Sequence, residues 1–173
     1  MKREVGIIAG VFALSFLIAG SGYGQTTARA QLRNGAGEAV GNATFAEEAD
    51  GVKITVDASG LAPGSHGFHI HAVAKCDPPD FASAGGHFNP LGKKHGVKNP
   101  EGAHAGDLPN LEVGSDGTGK VEVVDKAITL GEGPNSLFQA DGTSLVIHAS
   151  ADDEVTDPSG NSGARIACGV ISK

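Results

Sequence analysis

The feature that most constrains the fold is a two-residue rhythm that breaks off every few residues. Val52, Ile54, Val56 and Ala58 alternate with Lys53, Thr55 and Asp57. Strict alternation puts every apolar side chain on one face of an extended chain, so this segment reads as a half-buried β-strand. Phe68 and Ile70 alternate with His69 and His71, Leu145 and Ile147 with Val146 and His148, and Ile166, Cys168 and Val170 repeat near the C-terminus. Weaker strand signals cover residues 28–34, 39–47 and 119–124. Asn34-Gly35, Asp50-Gly51, Asp116-Gly117 and Asp141-Gly142 punctuate them with turn chemistry. Helical periodicity is absent beyond the first residues. Short strands at regular spacing, joined by Gly turns, predict an all-β sandwich or barrel in one domain.

The N-terminus follows other rules. Lys2 and Arg3 precede an apolar run from Val5 to Ala19, and Gly20, Ser21, Gly22 and Gly24 follow. The run is about 15 residues, short of the ~20 a membrane-spanning helix needs. A charged start, a short apolar stretch and a small-residue exit read as a secretory signal peptide. Residues 1–30 are assigned to it and 31–173 to the folded domain, with cleavage after Gly24 as the alternative. The chain is thus expected to be exported, to the periplasm or the extracellular space. Its net charge of −7 argues against nucleic acid and anionic membranes as partners. Two cysteines, Cys76 and Cys168, in an oxidising compartment read as one disulfide.

Two segments interrupt the strand pattern. Residues 73–114 are rich in Gly, Pro, His and Asn, and residues 150–163 in Asp, Ser and Gly. A structureless loop longer than ~15 residues in a compact domain is functional or disordered, and disorder has no use for clustered histidines. His69 and His71 lie two apart on a strand and so share its outer face, where His148 can join them. The first loop adds His87, His95 and His104, then Asp107. Three imidazoles and a carboxylate suit tetrahedral zinc in a closed, structural site, whereas nitrogen-rich planar coordination suits Cu(II). The candidate ligands divide between two ions if one His is shared.

The segments GFHIH (67–71), GGHFNP (85–90), KKHG (93–96), HAGDLPN (104–110), VIHASADD (146–153) and GNSGARIACGVI (160–171) resemble, in order, the signatures of the copper-zinc superoxide dismutases. The resemblance implies an eight-stranded Greek-key β-barrel with long metal-binding loops, an architecture of the sandwich type of which this enzyme family is a standing example. It implies copper at His69, His71, His87 and His148, and zinc at His87, His95, His104 and Asp107, with His87 bridging. It makes Asp152 the carboxylate behind the ligands His69 and His95, Arg165 the guanidinium beside the open copper position, and Cys76–Cys168 the family disulfide. His66 matches a framework histidine that packs and does not ligate. The implied reaction is disproportionation of superoxide to oxygen and hydrogen peroxide, with His87 relaying a proton. Ser150 stands where animal-type members carry a lysine, which leaves Lys93, Lys94 and Lys98 as alternative steering charges. Family members often form homodimers, through different interfaces, and the sequence does not choose between monomer and homodimer. A non-catalytic copper or zinc store or delivery protein on the same fold, and a purely structural sandwich module, stay open as alternatives.

Overall fold

The computed structural model describes residues 26–173; the predicted signal peptide lies almost wholly outside the described residues. Nine strands form one antiparallel sheet: β1 (Thr27–Asn34), β2 (Ala39–Glu48), β3 (Gly51–Ala58), β4 (Gly64–His66), β5 (Phe68–His71), β6 (Leu111–Val113), β7 (Gly119–Asp125), β8 (Ser144–His148) and β9 (Arg165–Val170). Their order is β4-β6-β7-β3-β2-β1-β9-β8-β5. The two ends of that order are consecutive in the chain. Only Gly67 separates β4 from β5, so the sheet closes on itself there into a barrel. Counted as one strand bent at Gly67, β4 and β5 bring the total to the eight expected.

The alternation of β3 appears as expected, with Val52, Ile54, Val56 and Ala58 all buried. They meet Leu32, Phe45, Phe68, Ile70, Leu111, Leu145 and Ile147 in the barrel interior. Each such side chain contributes roughly 1.5–3 kcal/mol on burial. The connection between β7 and β8 plugs the barrel with Ile128, Leu130 and Leu137. Glu47 of β2 holds that connection by accepting hydrogen bonds from Thr129 Oγ1 and Leu130 N–H.

The weak strand signal over 28–34 appears as β1, with Ala28 and Ala30 in the core and Arg29 bonded to Ser172. Two sequence expectations need correction. The first long loop ends at Asn110, because Leu111–Val113 pairs with β4 as β6; a three-residue strand is too short to show a period. Finally, β5 and β8 are buried on both faces, because the two loops fold over their outer side.

A second, smaller apolar cluster fixes the first loop to that outer side. Phe81, Ala84, Val146 and Cys168 form it, with Cys76 packed alongside. The Cys76–Cys168 disulfide, with Cα atoms 5.6 Å apart and a sequence separation of 92, ties the loop to β9. A cross-link over so long a loop stabilises by about 4–5 kcal/mol in chain-entropy terms.

Candidate metal centre

The site grows from the exposed edge of β5. His69 and His71 project outward from it, and the first loop lies along that edge as two short backbone bridges, His71 with His87 and His69 with Asp107. Phe88 N–H donates to Ile70 O, and Ile70 N–H to Gly106 O. The edge that would otherwise invite another chain is thus occupied by the segments carrying His87 and Asp107. His148 comes from the neighbouring β8, opposite Arg165 of β9.

Seven side chains then converge in two groups. In each, one ligand atom per residue lies within 4.8 Å of all the others: His69, His71, His87 and His148 in one, and His87, His95, His104 and Asp107 in the other. His87 belongs to both. The first group faces inward with atoms that have no partner. His69 Nδ1, His71 Nε2, His87 Nε2 and His148 Nε2 are buried without a hydrogen bond. Buried polar atoms are otherwise nearly always paired, so four neighbouring orphans form a group that could hold a metal ion.

The opposite ring nitrogens are held. His69 Nε2 lies 2.6 Å from Asp152 Oδ2, His71 Nδ1 donates to Gly85 O at 2.9 Å, and His148 Nδ1 to Gly163 O at 3.2 Å. Such outer contacts fix tautomer and ring orientation.

In the second group Asp107 Oδ1 lies 2.8 Å from His87 Nδ1, 3.0 Å from His95 Nδ1 and 3.2 Å from His104 Nδ1. A tetrahedral ion with bonds of about 2.0–2.1 Å has ligand atoms ~3.3 Å apart, so these separations suit zinc. The other Asp107 oxygen accepts the N–H groups of Gly96 and His104. His95 Nε2 reaches Asp152 Oδ1 at 3.0 Å, so one carboxylate supports both groups. Gly160, in the left-handed region at φ 60°, leaves room for it; a Cβ there would fall on Asp152 Oδ1.

Charge follows geometry. Burial, reinforced by the neighbouring His87, pushes His71 down to about 2, and burial takes His148 to about 3 and His87 to about 4. Neutral imidazoles are what a metal needs. Burial disfavours charge on His95 too, but Asp107 and Asp152 outweigh it and push the ring up to about 9. Burial likewise opposes ionisation of Asp107 and Asp152, yet their histidine contacts hold both well below the usual carboxylate range.

Beside Gly85 and Gly163, whose carbonyls hold His71 and His148, opens a cavity of about 580 Å³ also lined by Asp80 and Arg165. Arg165 is aimed by two carbonyls, Nη1 donating to Phe81 O at 2.7 Å and Nη2 to Gly85 O at 2.6 Å. His66 stands apart: its ring nitrogens lie on the carbonyls of His148 and Ala62, the framework position expected. Lys94 pairs with Asp157 and Lys98 with Glu154, and among the described residues no lysine lines the cavity. Sequence reasoning missed Asp157, whose Oδ1 accepts His95 N–H at 2.9 Å; among the other acids of the second loop nothing marked it. It also missed the carbonyls of Gly85 and Gly163, which have no side-chain signal.

A closed Greek-key barrel carrying two histidine-rich ligand groups that share one imidazole defines a dinuclear metalloprotein. A family profile for copper/zinc superoxide dismutase matches residues 39–171. The chain belongs to that family. It is 48% identical over 99% of its length, and 99% of the relative's, to superoxide dismutase (Cu-Zn) 2 of Aquifex aeolicus. It is 52% identical to the superoxide dismutase-like protein YojM of Bacillus subtilis, over 82% of this chain and 74% of that one. Among solved structures, a double mutant of a superoxide dismutase-like protein from Bacillus subtilis superposes with a TM-score of 0.80 at 51% identity, covering 82% of this chain and 95% of the other.

Proposed function

We propose that this protein disproportionates superoxide to dioxygen and hydrogen peroxide, with copper at His69, His71, His87 and His148 and zinc at His87, His95, His104 and Asp107. The observation that carries the reading is the set of four buried, unpartnered imidazole nitrogens gathered in one group, with Arg165 held by the same Gly85 carbonyl as His71. Copper supplies the one-electron exchange there, and zinc, which has no redox chemistry, supplies fixed charge and holds the loop. The remaining work falls to side chains. Arg165 offers a small anion a planar cation whose direction is set by two carbonyls. His87 has one nitrogen on each side of the centre, so Nε2 can hold the proton that the reduced substrate takes up, while Nδ1 stays with the Asp107 group. Asp152 keeps His69 and His95 facing their respective groups.

Export fits this reading. A disulfide persists in an oxidising compartment, and removal of the signal peptide after Gly24 would keep β1 whole, whereas removal after Ala30 would take two core alanines with it. N-terminal sequencing of the mature protein distinguishes the two.

The function is tested by superoxide consumption of the purified protein, metal-free and after loading with copper and zinc. Activity is expected only with copper. His148→Ala should lose copper and activity while binding zinc as before. Full occupancy of both metals without turnover would replace the dismutase by a metal store.

A further inference from the structure

The cavity beside Arg165, next to the glycines that hold His71 and His148, has a charge pattern of its own. Among its lining residues only Arg165 and Asp80 carry charge. The lysines of the first loop are elsewhere, two of them in ion pairs. An anion entering this cavity therefore meets one fixed cation and one fixed carboxylate. We propose that Asp80 limits the entry of small anions, and so sets the rate at which this site captures its substrate below what Arg165 alone would allow. The inference rests on the dismutase reading for the identity of that substrate, though not for the anion binding itself.

The reason a carboxylate stands there is local. Asp80 Oδ1 accepts the N–H of Ala82 at 3.1 Å, at the start of the short 3-10 turn Ala82–Ala84. That turn places the carbonyls of Phe81 and Gly85 on either side, and these aim Arg165. The side chain of residue 80 needs an acceptor oxygen; it does not need a charge. Asparagine keeps the oxygen and removes the charge, so Asp80→Asn isolates the electrostatic contribution from the structural one. Two unit charges ~8 Å apart in water interact strongly enough to change an encounter rate about twofold, and salt erases the effect as the screening length falls below that distance.

The test compares wild type and Asp80→Asn, each loaded with copper and zinc, in two measurements. The first is the second-order rate constant for superoxide between ~10 mM and ~0.5 M salt. The second is azide affinity, followed by the copper absorption band, which needs no turnover. At low salt Asp80→Asn should raise both about twofold, with the gains vanishing at high salt. Wild-type activity with rate and azide affinity unchanged in Asp80→Asn at low salt overturns the role of Asp80. Absence of turnover in the wild type overturns the dismutase reading instead, and the azide series still decides whether Asp80 opposes anions.

Discussion

Arg165 and His71 meet on one atom, the carbonyl oxygen of Gly85, which accepts from the guanidinium Nη2 at 2.6 Å and from the imidazole Nδ1 at 2.9 Å. The guanidinium proposed to receive the anion and a proposed copper ligand are thus positioned by the same peptide. Arg165→Lys keeps the charge but can satisfy only part of the fork made by Gly85 and Phe81. Losing one charge-assisted hydrogen bond, worth about 1.5 kcal/mol of folding stability, should lower the melting temperature by about 3–6 °C, and kcat/KM should fall because the cation is no longer aimed, with copper content near that of the wild type. Stopped-flow rates of the metal-loaded variant check this. A variant as fast as the wild type would mean that charge alone suffices.

Asp152 bridges the two ligand groups through its separate oxygens. In Asp152→Asn one oxygen still accepts from one ring, but the amide NH2 faces the N–H of the other, donor against donor. Loss of such an outer partner typically costs 10–100-fold in metal affinity. Chelator competition should show that drop for zinc, copper or both, with activity recovering at saturating metal. Unchanged affinities would reduce Asp152 to a packing role.

Much of this centre is legible in the residues alone. Alternation over Val52–Ala58 locates β3, and the spacing of His69 and His71 puts both on one outer face. What escapes has a common physical cause. The strands β4 and β6 are three residues each, too short for a period. Gly85 and Gly163 act through backbone carbonyls, which every residue has. Asp80 and Asp157 sit among other acids in polar loops, and only the folded positions of Arg165 and His95 give them meaning. The full burial of β5 and β8 stays hidden because alternation reports which side faces the core, and not whether a loop covers the other.

The disulfide and the apolar cluster around Phe81 hold the same stretch of loop. Replacing Cys76 and Cys168 by serine frees that stretch from β9. The double variant should lose roughly 2–5 kcal/mol of stability, read as a lower melting temperature than the wild type, and reductant should have little further effect on it. Arg165 should also loosen, because Phe81 O is one of its two anchors, so kcat/KM should fall at equal copper content. A double variant that melts with the wild type would show that the cluster alone seats the loop.

Asp125, at the end of β7, gives a pH dependence of its own, to which the negative charge of Asp107 adds. Its Oδ1 accepts Ala127 N–H, while Oδ2 is buried with no partner. Burial pushes its carboxyl up to about 6. An unfolded aspartate titrates near ~3.9. Between these values the folded protein keeps a proton that the unfolded chain has released, so this group's contribution falls as pH rises from about 4 to about 6 and is then constant. Ionisation therefore destabilises the fold at neutral pH, by on the order of 1–2 kcal/mol once solvent at the rim is allowed for. Asp125→Asn cannot ionise. Its melting temperature relative to wild type should rise by about 3–8 °C between pH 4.5 and pH 7.5, whatever the offset at the acidic end, since all other titrations cancel in the difference. Parallel melting curves across that range would mean that Asp125 stays charged in the folded protein at no cost, with a partner for Oδ2 that burial conceals.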